Sequence, residues 1–382
     1  MSTVARIATD DMAATSSTAK QAFRALRIAI VAPSLDILGG QGVQARSLAQ
    51  ALGSDGFEVV FIPVNPRFPK GLRWLRRIPV ARTLLNQCLY LAELFKIRHA
   101  DVVHVYSASY WSFLLAPAPA IVASRWFGKP VILNYHSGEA DDHLASWGLR
   151  VHPWLRRVDE IVVPSRYLQN VFARHGYQAR VVRNIIDTSG FHYRERSQLR
   201  PRLLSNRNLE AHYGVGTTLK AFALLRKQWP HARLKIAGYG SQRARLEQWV
   251  RSECLDGVEF VGRIEPEAMP RLYDEADIFV NASLIDNQPI SILEAFAAGL
   301  PVVSTPVGDI PAMMRSQQNG TLVPRDDPAA MAAAIALLLE APGQAVTMAR
   351  RARAEVEQYT WAKVRSAWTD LYRNQCETSA PV

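Results

Sequence analysis

The chain has 382 residues, of which 48% are apolar, enough to build two cores of ordinary size. Its formal net charge is +11 and its isoelectric point about 9.8, so an acidic partner is expected, such as a phosphate-bearing ligand, an anionic membrane surface or nucleic acid. Cys88, Cys254 and Cys376 are too far apart to form a metal-ligand pair or a disulfide framework, which favours a reducing, cytoplasmic location.

Residues 1–24 are predicted to be a disordered tail, because they are rich in Ser, Thr and Ala and lack the apolar core of a secretory signal. Short β-branched runs then alternate with helical patterns, which is typical of a parallel sheet with crossover helices. The predicted strands of this half are 26–32, 58–63, 101–106, 130–135, 160–164 and 180–183.

A polar interval from 187 to about 197 separates this half from a second half with the same rhythm. Its predicted strands are 201–205, 232–237, 258–261, 277–280, 301–304 and 320–323. The fold class is therefore predicted to be α/β, with two Rossmann-like doubly wound domains at 25–197 and 198–358. Ligands of such sheets bind beyond the carboxyl ends of the strands, so the site is expected in a cleft between the domains.

The last segment, 359–382, is predicted to be a helix with one apolar stripe that docks elsewhere, with the amino-terminal domain as the candidate surface. No membrane-spanning segment is predicted. The apolar stretch 110–127 is interrupted by Pro117 and Pro119, and the stretch 329–341 is too short to cross a bilayer of roughly 30 Å.

The clearest chemical pattern follows the strand that ends near residue 280. Asp286 or Asn287 can cap a helix, Pro289 suits its first turn, and Gly299 can end it. These signals predict a helix over about 289–298 with its amino end directed at the cleft.

The amino end of that helix has the chemistry of a diphosphate site. Amides around Ile290, Ser291 and Ile292 lack intrahelical acceptors, and the helix dipole favours an anion there. Glu294, one turn further, can accept hydrogen bonds from ribose hydroxyls, and Asp286 can bind hydroxyls of a donor sugar. Asn287 belongs to the same predicted donor-binding segment.

Asp286 and Glu294, with seven residues between them, resemble the acidic pair of retaining GT-B glycosyltransferases of family 4. The resemblance extends over roughly residues 26–373. It implies a GT-B architecture with acceptor determinants in the first domain and a nucleotide-sugar substrate in the second. It also implies transfer with retained anomeric configuration to a glycan or lipid-linked acceptor, without a cofactor or metal.

In the first domain, the run Gly39-Gly40-Gln41-Gly42 resembles the family's glycine-rich loop, and His136 occupies the place of its histidine near the donor sugar. Each residue type also has a simpler interpretation from local sequence alone. A tight strand-to-helix turn uses glycines, and a histidine at a strand end can serve as a structural or capping residue.

In the second domain, Arg207 resembles the arginine that holds the donor phosphates, a task that suits its fixed charge and fork geometry. The family usually has a lysine six positions later, where this chain has Tyr213, which can donate one hydrogen bond to a phosphate but carries no charge. Gly238 resembles the turn that lets the nucleotide approach the backbone, although an ordinary turn also fits. Arg263 belongs to a segment that resembles the loop beside the nucleobase.

No metal site is predicted, because the sequence contains no Asp-x-Asp motif and the cluster Asp141-Asp142-His143 has no partners at ligand spacing. That cluster is interpreted as solvated polar surface.

A basic stretch between Arg67 and Arg98 interleaves cations with Trp and Leu and contains a single acid, Glu93. Such a composition suits an anionic bilayer interface, where a lipid-linked acceptor would also lie, so peripheral association with the inner face of the cell membrane is expected. The alternative is a solvated crossover region with ordinary buried leucines. Nucleic acid is not expected, since no nucleic-acid-binding signature is present.

The expected function is therefore transfer of a sugar from a nucleotide-sugar in bacterial polysaccharide or glycolipid biosynthesis. A GT-B-like nucleotide-sugar epimerase would share the fold and the nucleotide site. A noncatalytic, membrane-associated sugar-nucleotide sensor is suggested by Tyr213 in place of the lysine. A nicotinamide oxidoreductase is disfavoured, because Gly39-Gly40-Gln41-Gly42 is not the full dinucleotide fingerprint.

Overall fold

The computed structural model describes residues 25–34, 40–107 and 109–378. The predicted tail and Gly39 lie outside these residues. The described chain forms two six-stranded parallel sheets, which confirms the α/β class and each strand expected from the alternation. The strands are β1 Arg27–Ala32, β2 Glu58–Pro63, β3 Val102–Ser107, β4 Val131–Tyr135, β5 Glu160–Val163, β6 Arg180–Val181, β7 Arg202–Asn206, β8 Arg233–Ala237, β9 Val258–Gly262, β10 Ile278–Asn281, β11 Val302–Ser304 and β12 Thr321–Leu322.

The strand order determines which loops lie side by side at the candidate site. It is β2-β1-β3-β4-β5-β6 in the first sheet and β12-β11-β10-β7-β8-β9 in the second. In the second sheet the winding reverses between β7 and β10, and ligands of open α/β sheets bind at such a switch point. Since β7 ends at Asn206 and β10 at Asn281, the loops that carry Arg207 and Asp286 leave the sheet side by side.

Helices cover both faces of each sheet. Those of the amino half are α1 Gly40–Ser54, α2 Pro79–Leu94, α3 Tyr110–Leu115, α4 Pro117–Trp126, α5 Ala140–Ser146, α6 Gly148–Leu155 and α7 Arg166–Arg174, with 3₁₀ helices at Lys70–Arg77 and Phe95–His99. Those of the carboxy half are α8 Val215–Arg226, α9 Arg243–Ser252, α10 Met269–Asp274, α11 Ile290–Ala297, α12 Ile310–Met313, α13 Pro328–Glu340, α14 Pro342–Val356 and α15 Trp361–Thr378, with 3₁₀ helices at Ala211–Tyr213, Pro266–Ala268 and Glu357–Tyr359.

The last helix, α15, returns to the amino-terminal sheet. Its apolar stripe, which includes Trp368 and Leu371, packs into one buried cluster with Ile28 and Val102 of that sheet. The hydroxyl of Tyr372 lies 2.7 Å from Nδ1 of the buried His104 on β3. The chain therefore passes between the two halves twice, in the segment after β6 and again where α15 returns to the amino half.

Within the described residues, no single helix is both long and apolar enough to cross a bilayer. The length and apolar composition of a membrane span are reached only by two helical segments counted together, Pro328–Glu340 and Pro342–Glu377. The chain bends by 102° between them.

Candidate active site

The loops after the strands of the two sheets enclose a cavity of about 850 Å³. Each predicted site residue that the structure describes lines this one cavity. From the amino half these are Gly40, Gln41, Gly42 and His136, and from the carboxy half Arg207, Tyr213, Gly238, Arg263, Asp286, Asn287, Ile290, Ser291 and Glu294.

Helix α11 begins at Ile290 after Pro289, close to the predicted start, and ends at Ala297. The prediction that Asp286 or Asn287 caps it is wrong, because Pro289 occupies the cap position and no side chain caps the helix. The side chains of Asp286 and Asn287 form hydrogen bonds with residues outside this helix. The amide of Ile292 donates to the carbonyl of Pro289 at 3.2 Å, so Ile290 and Ser291 carry the amides available to a ligand.

Arg207 is fixed by three groups at the amino end of α11. Its guanidinium donates to the Asp286 carboxylate and, through Nη1, to the Ser291 hydroxyl at 3.1 Å. Its Cζ atom lies 4.2 Å from the centre of the Tyr213 ring. The Arg207 and Asp286 side chains are only 9% and 11% exposed, so this ion pair is largely removed from water. The cation is therefore held in position beside the predicted diphosphate site.

Tyr213 contacts that cation with its aromatic face. It ends the 3₁₀ helix Ala211–Tyr213, and burial raises the pKa of its phenol, so the side chain is neutral. A cation over a desolvated ring is attracted by about 2 kcal/mol. The Tyr213 ring therefore packs against the Arg207 guanidinium and helps to hold it in place.

Glu294 lies at the floor of the cavity. Its Oε2 atom accepts a hydrogen bond of 2.6 Å from Tyr273 and one of 3.4 Å from the Asn206 amide. Burial raises the pKa of the Glu294 carboxyl, which the Tyr273 hydrogen bond partly offsets. The carboxyl group is thus fixed in orientation, as a group that selects ribose hydroxyls requires.

His136 enters the cavity from the end of β4. Its ring stacks on Tyr106 at 5.2 Å, and its Nε2 atom is out of contact with solvent and without a partner among the described residues. Burial lowers the pKa of His136 to about 3, so the imidazole is neutral at physiological pH. An unpartnered buried nitrogen that lines a cavity is a ready hydrogen-bonding group for a ligand.

Two glycines are required by close packing around these groups. Gly238 has φ +136°, and a Cβ there would lie 2.1 Å from the carbonyl oxygen of Arg207. A Cβ at Gly138 would lie 2.9 Å from the backbone of Asp286, which belongs to the other half of the chain. The loop after β4 is therefore in close contact with the loop that carries Asp286.

The segment after Asp286 also holds the two halves together. Asn287 accepts a hydrogen bond of 2.6 Å from Ser165, so its side-chain oxygen is committed to the amino half. Gln288 donates to the carbonyl of Pro164 at 3.0 Å and accepts from the amide of Asn184 at 3.1 Å. The sequence gives no signal for these bonds, because a polar side chain in a loop does not reveal a partner more than a hundred residues away.

The described part of the glycine-rich run, Gly40 to Gly42, is helical rather than an open loop, since α1 begins at Gly40. Gln41 donates to the carbonyl of Ser107 at 3.0 Å. One turn later, Gln44 makes two hydrogen bonds of 2.7 Å with the backbone of Ile185, in the connection between the halves.

Arg263 lines the cavity and pairs with Glu265 at 3.2 Å. The described residues contain no group of three or more His, Cys, Asp or Glu placed to hold a metal ion. The interpretation of Asp141-Asp142-His143 as solvated surface is wrong for His143. That side chain is buried, and its Nδ1 lies 2.8 Å from the Tyr135 hydroxyl, while Asp141 pairs on the surface with Arg174.

Two family models match the two halves of the chain. Residues 38–189 match the one described as Glycosyltransferase Family 4, and residues 200–341 match the one described as Glycosyl transferases group 1. The first match contains strands β2 to β6 of the amino-terminal sheet, and the second contains all six strands of the carboxy-terminal sheet.

Curated relatives and solved structures resemble the chain over most of its length. The glycogen synthase of Mycobacterium tuberculosis is 26% identical over 88% of this chain and 91% of that protein. The amylovoran biosynthesis glycosyltransferase AmsK of Erwinia amylovora is 31% identical over 60% of each chain. The Anabaena protein Alr3699/HepE, solved in complex with UDP-glucose, superposes with a TM-score of 0.71 at 16% identity, over 91% of this chain and all of that one.

Proposed function

The chain belongs to the GT-B glycosyltransferases of family 4, and from that premise we propose that it moves a sugar from a nucleotide-sugar to a glycan or lipid-linked acceptor with retained anomeric configuration. The observation that carries this proposal is the arrangement at the amino end of α11. Arg207, the amides of Ile290 and Ser291, and the oriented carboxyl of Glu294 converge on one cavity between the two halves.

In this proposal the diphosphate of the donor lies on the amides of Ile290 and Ser291, where the helix dipole favours an anion. Arg207 already binds the Ser291 hydroxyl, so its charge lies beside that anion and stabilises the departing diphosphate. Glu294 accepts from the ribose hydroxyls. UDP is the first nucleotide to test, because the Anabaena protein of the same fold was solved with UDP-glucose.

The donor sugar then lies between Asp286 of the carboxy half and His136 of the amino half. The acceptor hydroxyl forms a bond to the anomeric carbon on the face from which the diphosphate leaves, and the bond from that carbon to the phosphate oxygen breaks. The hydroxyl proton passes to the departing phosphate oxygen, so no separate strong base is required. His136, neutral because burial lowers its pKa to about 3, positions sugar hydroxyls.

The proposal is tested by incubating wild type and Glu294→Ala with a panel of UDP-, GDP- and ADP-sugars, with and without oligosaccharide acceptors. We expect donor turnover by wild type, a product anomer that matches the donor by NMR, and a large loss in Glu294→Ala. Equal activity of the variant would contradict the ribose assignment. A changed free nucleotide-sugar without acceptor would support an epimerase, and binding without turnover would support a sensor.

The relatives that are named for glycogen and amylovoran synthesis support a polysaccharide as the class of product. A lipid-linked intermediate as acceptor would place the enzyme at the inner face of the cell membrane. The basic stretch supports this location, because many of its apolar side chains are exposed and alternate with exposed cations such as Lys70, Arg77 and Arg82. The exposed apolar residues are Leu72, Trp74, Ile78, Val80, Leu84, Leu91 and Phe95.

Sedimentation with vesicles separates this surface from a merely solvated helix. We expect the wild type to bind vesicles with 30% phosphatidylglycerol at low salt, and a variant with Trp74→Ser and Leu84→Ser to lose most of that binding. Leu149→Ser, which alters an exposed leucine on α6, serves as the control and should bind like the wild type. No sedimentation of the wild type would refute the membrane location.

A further inference from the structure

A cluster of aromatic side chains, Tyr110, Trp111 and Trp147, lies on the amino half. The Trp111 and Trp147 rings meet edge to face at 5.3 Å and 88°, and Tyr110 meets Trp147 at 5.6 Å and 74°. Trp111 is 63% exposed. An exposed tryptophan packed against other aromatic rings offers an apolar contact surface to a ligand.

The frame under these rings is held in place by polar contacts. Tyr110 donates a hydrogen bond of 2.5 Å to Oδ2 of Asp142, and its backbone has φ +56°, which a bulky residue rarely adopts. The buried ring of His143 contacts the Tyr110 ring at 5.1 Å. The guanidinium of Arg150 covers the Trp147 ring at 4.9 Å, so Trp111 contributes the most exposed ring of the cluster.

Glu139 connects the aromatic cluster to the active site. It is the residue before α5, the helix that carries Asp142, and it lines the cavity together with Tyr213 and Asp286. Burial is the main cause that raises the pKa of the phenols of Tyr110 and Tyr213. Nearby carboxylates, which include Glu139 for both phenols, raise it further. Glu139 thus lines the same cavity as Arg207 and directly precedes the helix whose Asp142 binds Tyr110.

We propose that the aromatic cluster and Glu139 form the binding subsite for the acceptor glycan, and that the subsite takes a neutral pyranose ring. This inference rests on the proposed transfer reaction and names its acceptor chemistry. The C–H face of a pyranose is apolar and matches the exposed face of Trp111, whereas its hydroxyls match the carboxylates of Glu139 and Asp142. Asp142 binds Tyr110, the neighbour of Trp111, and Glu139 precedes the helix that carries Asp142, so a uronic acid would be repelled there.

The test measures glycan binding without a donor. Labelled wild type, Trp111→Ala, Trp111→Phe and Trp126→Ala are applied to a printed array of neutral and uronic-acid oligosaccharides. Trp126 is the matched control, because it is a tryptophan of the same half that is 84% exposed at the end of α4. Stabilisation of each variant by UDP-glucose is recorded in parallel as a readout of the donor site.

We expect wild type and Trp126→Ala to bind the same neutral glycans. Trp111→Ala should lose binding by about tenfold or more, and Trp111→Phe should recover part of it. Stabilisation by UDP-glucose should be equal in all four proteins. The inference is overturned if wild type binds no array glycan or only uronic acids, or if Trp111→Ala binds like wild type. Failure of the donor site would instead appear as no stabilisation of wild type by any nucleotide-sugar, whatever the array result.

Discussion

Replacement of Tyr213 separates the two roles that this residue can have. The ring of Tyr213 stacks on the Arg207 guanidinium at 4.2 Å, and the Arg207 side chain is only 9% exposed. A desolvated cation–π contact contributes about 2 kcal/mol, which corresponds to a factor of roughly 30 in affinity. Tyr213→Ala should therefore weaken UDP-glucose binding by up to about 30-fold, because Arg207 loses the surface that orients it.

Tyr213→Phe is the matched control, because it keeps the ring and removes only the hydroxyl. We expect its dissociation constant, measured by isothermal titration calorimetry, to stay within about twofold of the wild-type value. If Tyr213→Phe binds as weakly as Tyr213→Ala, the hydroxyl rather than the ring contacts the donor. If neither variant is impaired, the stacking contact does not orient Arg207 for binding, and the reasoning fails.

Three further changes have defined outcomes. Glu294→Gln should weaken UDP-glucose binding about tenfold by calorimetry, through loss of a charged acceptor, and unchanged affinity would contradict the ribose contact. Gly138→Ala places a Cβ 2.9 Å from the Asp286 backbone, so the rate of sugar transfer should fall. A wild-type rate would show that the loop can move to accommodate the methyl group. Burial lowers the pKa of His104 and His136 to about 3 each, so the unfolded chain binds more protons between pH 6.5 and 3. Urea denaturation should therefore show lower stability at pH 5 than at pH 7.5, by roughly 2 kcal/mol per histidine, and equal midpoints would contradict this.

Much of the fold could be predicted from the sequence because parallel strands are buried on both faces and read as short β-branched runs. Strand β1, Arg27–Ala32, is buried from its second residue onward, and β3 is buried throughout. The segment around α11 could be placed for a related reason, since Pro289 and Gly299 limit a short helix between two strands.

The contacts within the site could not be predicted, because they depend on chain segments far apart in sequence. Asp286 pairs with Arg207, 79 residues away, and Asn287 binds Ser165, 122 residues away, so neither residue caps α11. Glu139 carried no motif, and its place in one cavity with Tyr213 follows only from the packing of the two halves. The spacing of hydrophobic residues indicates which face of a helix or strand is buried, but it does not indicate which polar groups meet across a cleft.

The most direct test of the account is a crystal structure of the protein soaked or co-crystallised with UDP-glucose. We expect the diphosphate at the amino end of α11, within hydrogen-bond distance of the amides of Ile290 and Ser291 and of the Arg207 guanidinium, with the ribose on Glu294. A nucleotide bound elsewhere, with the amino end of α11 left unoccupied, would contradict the account.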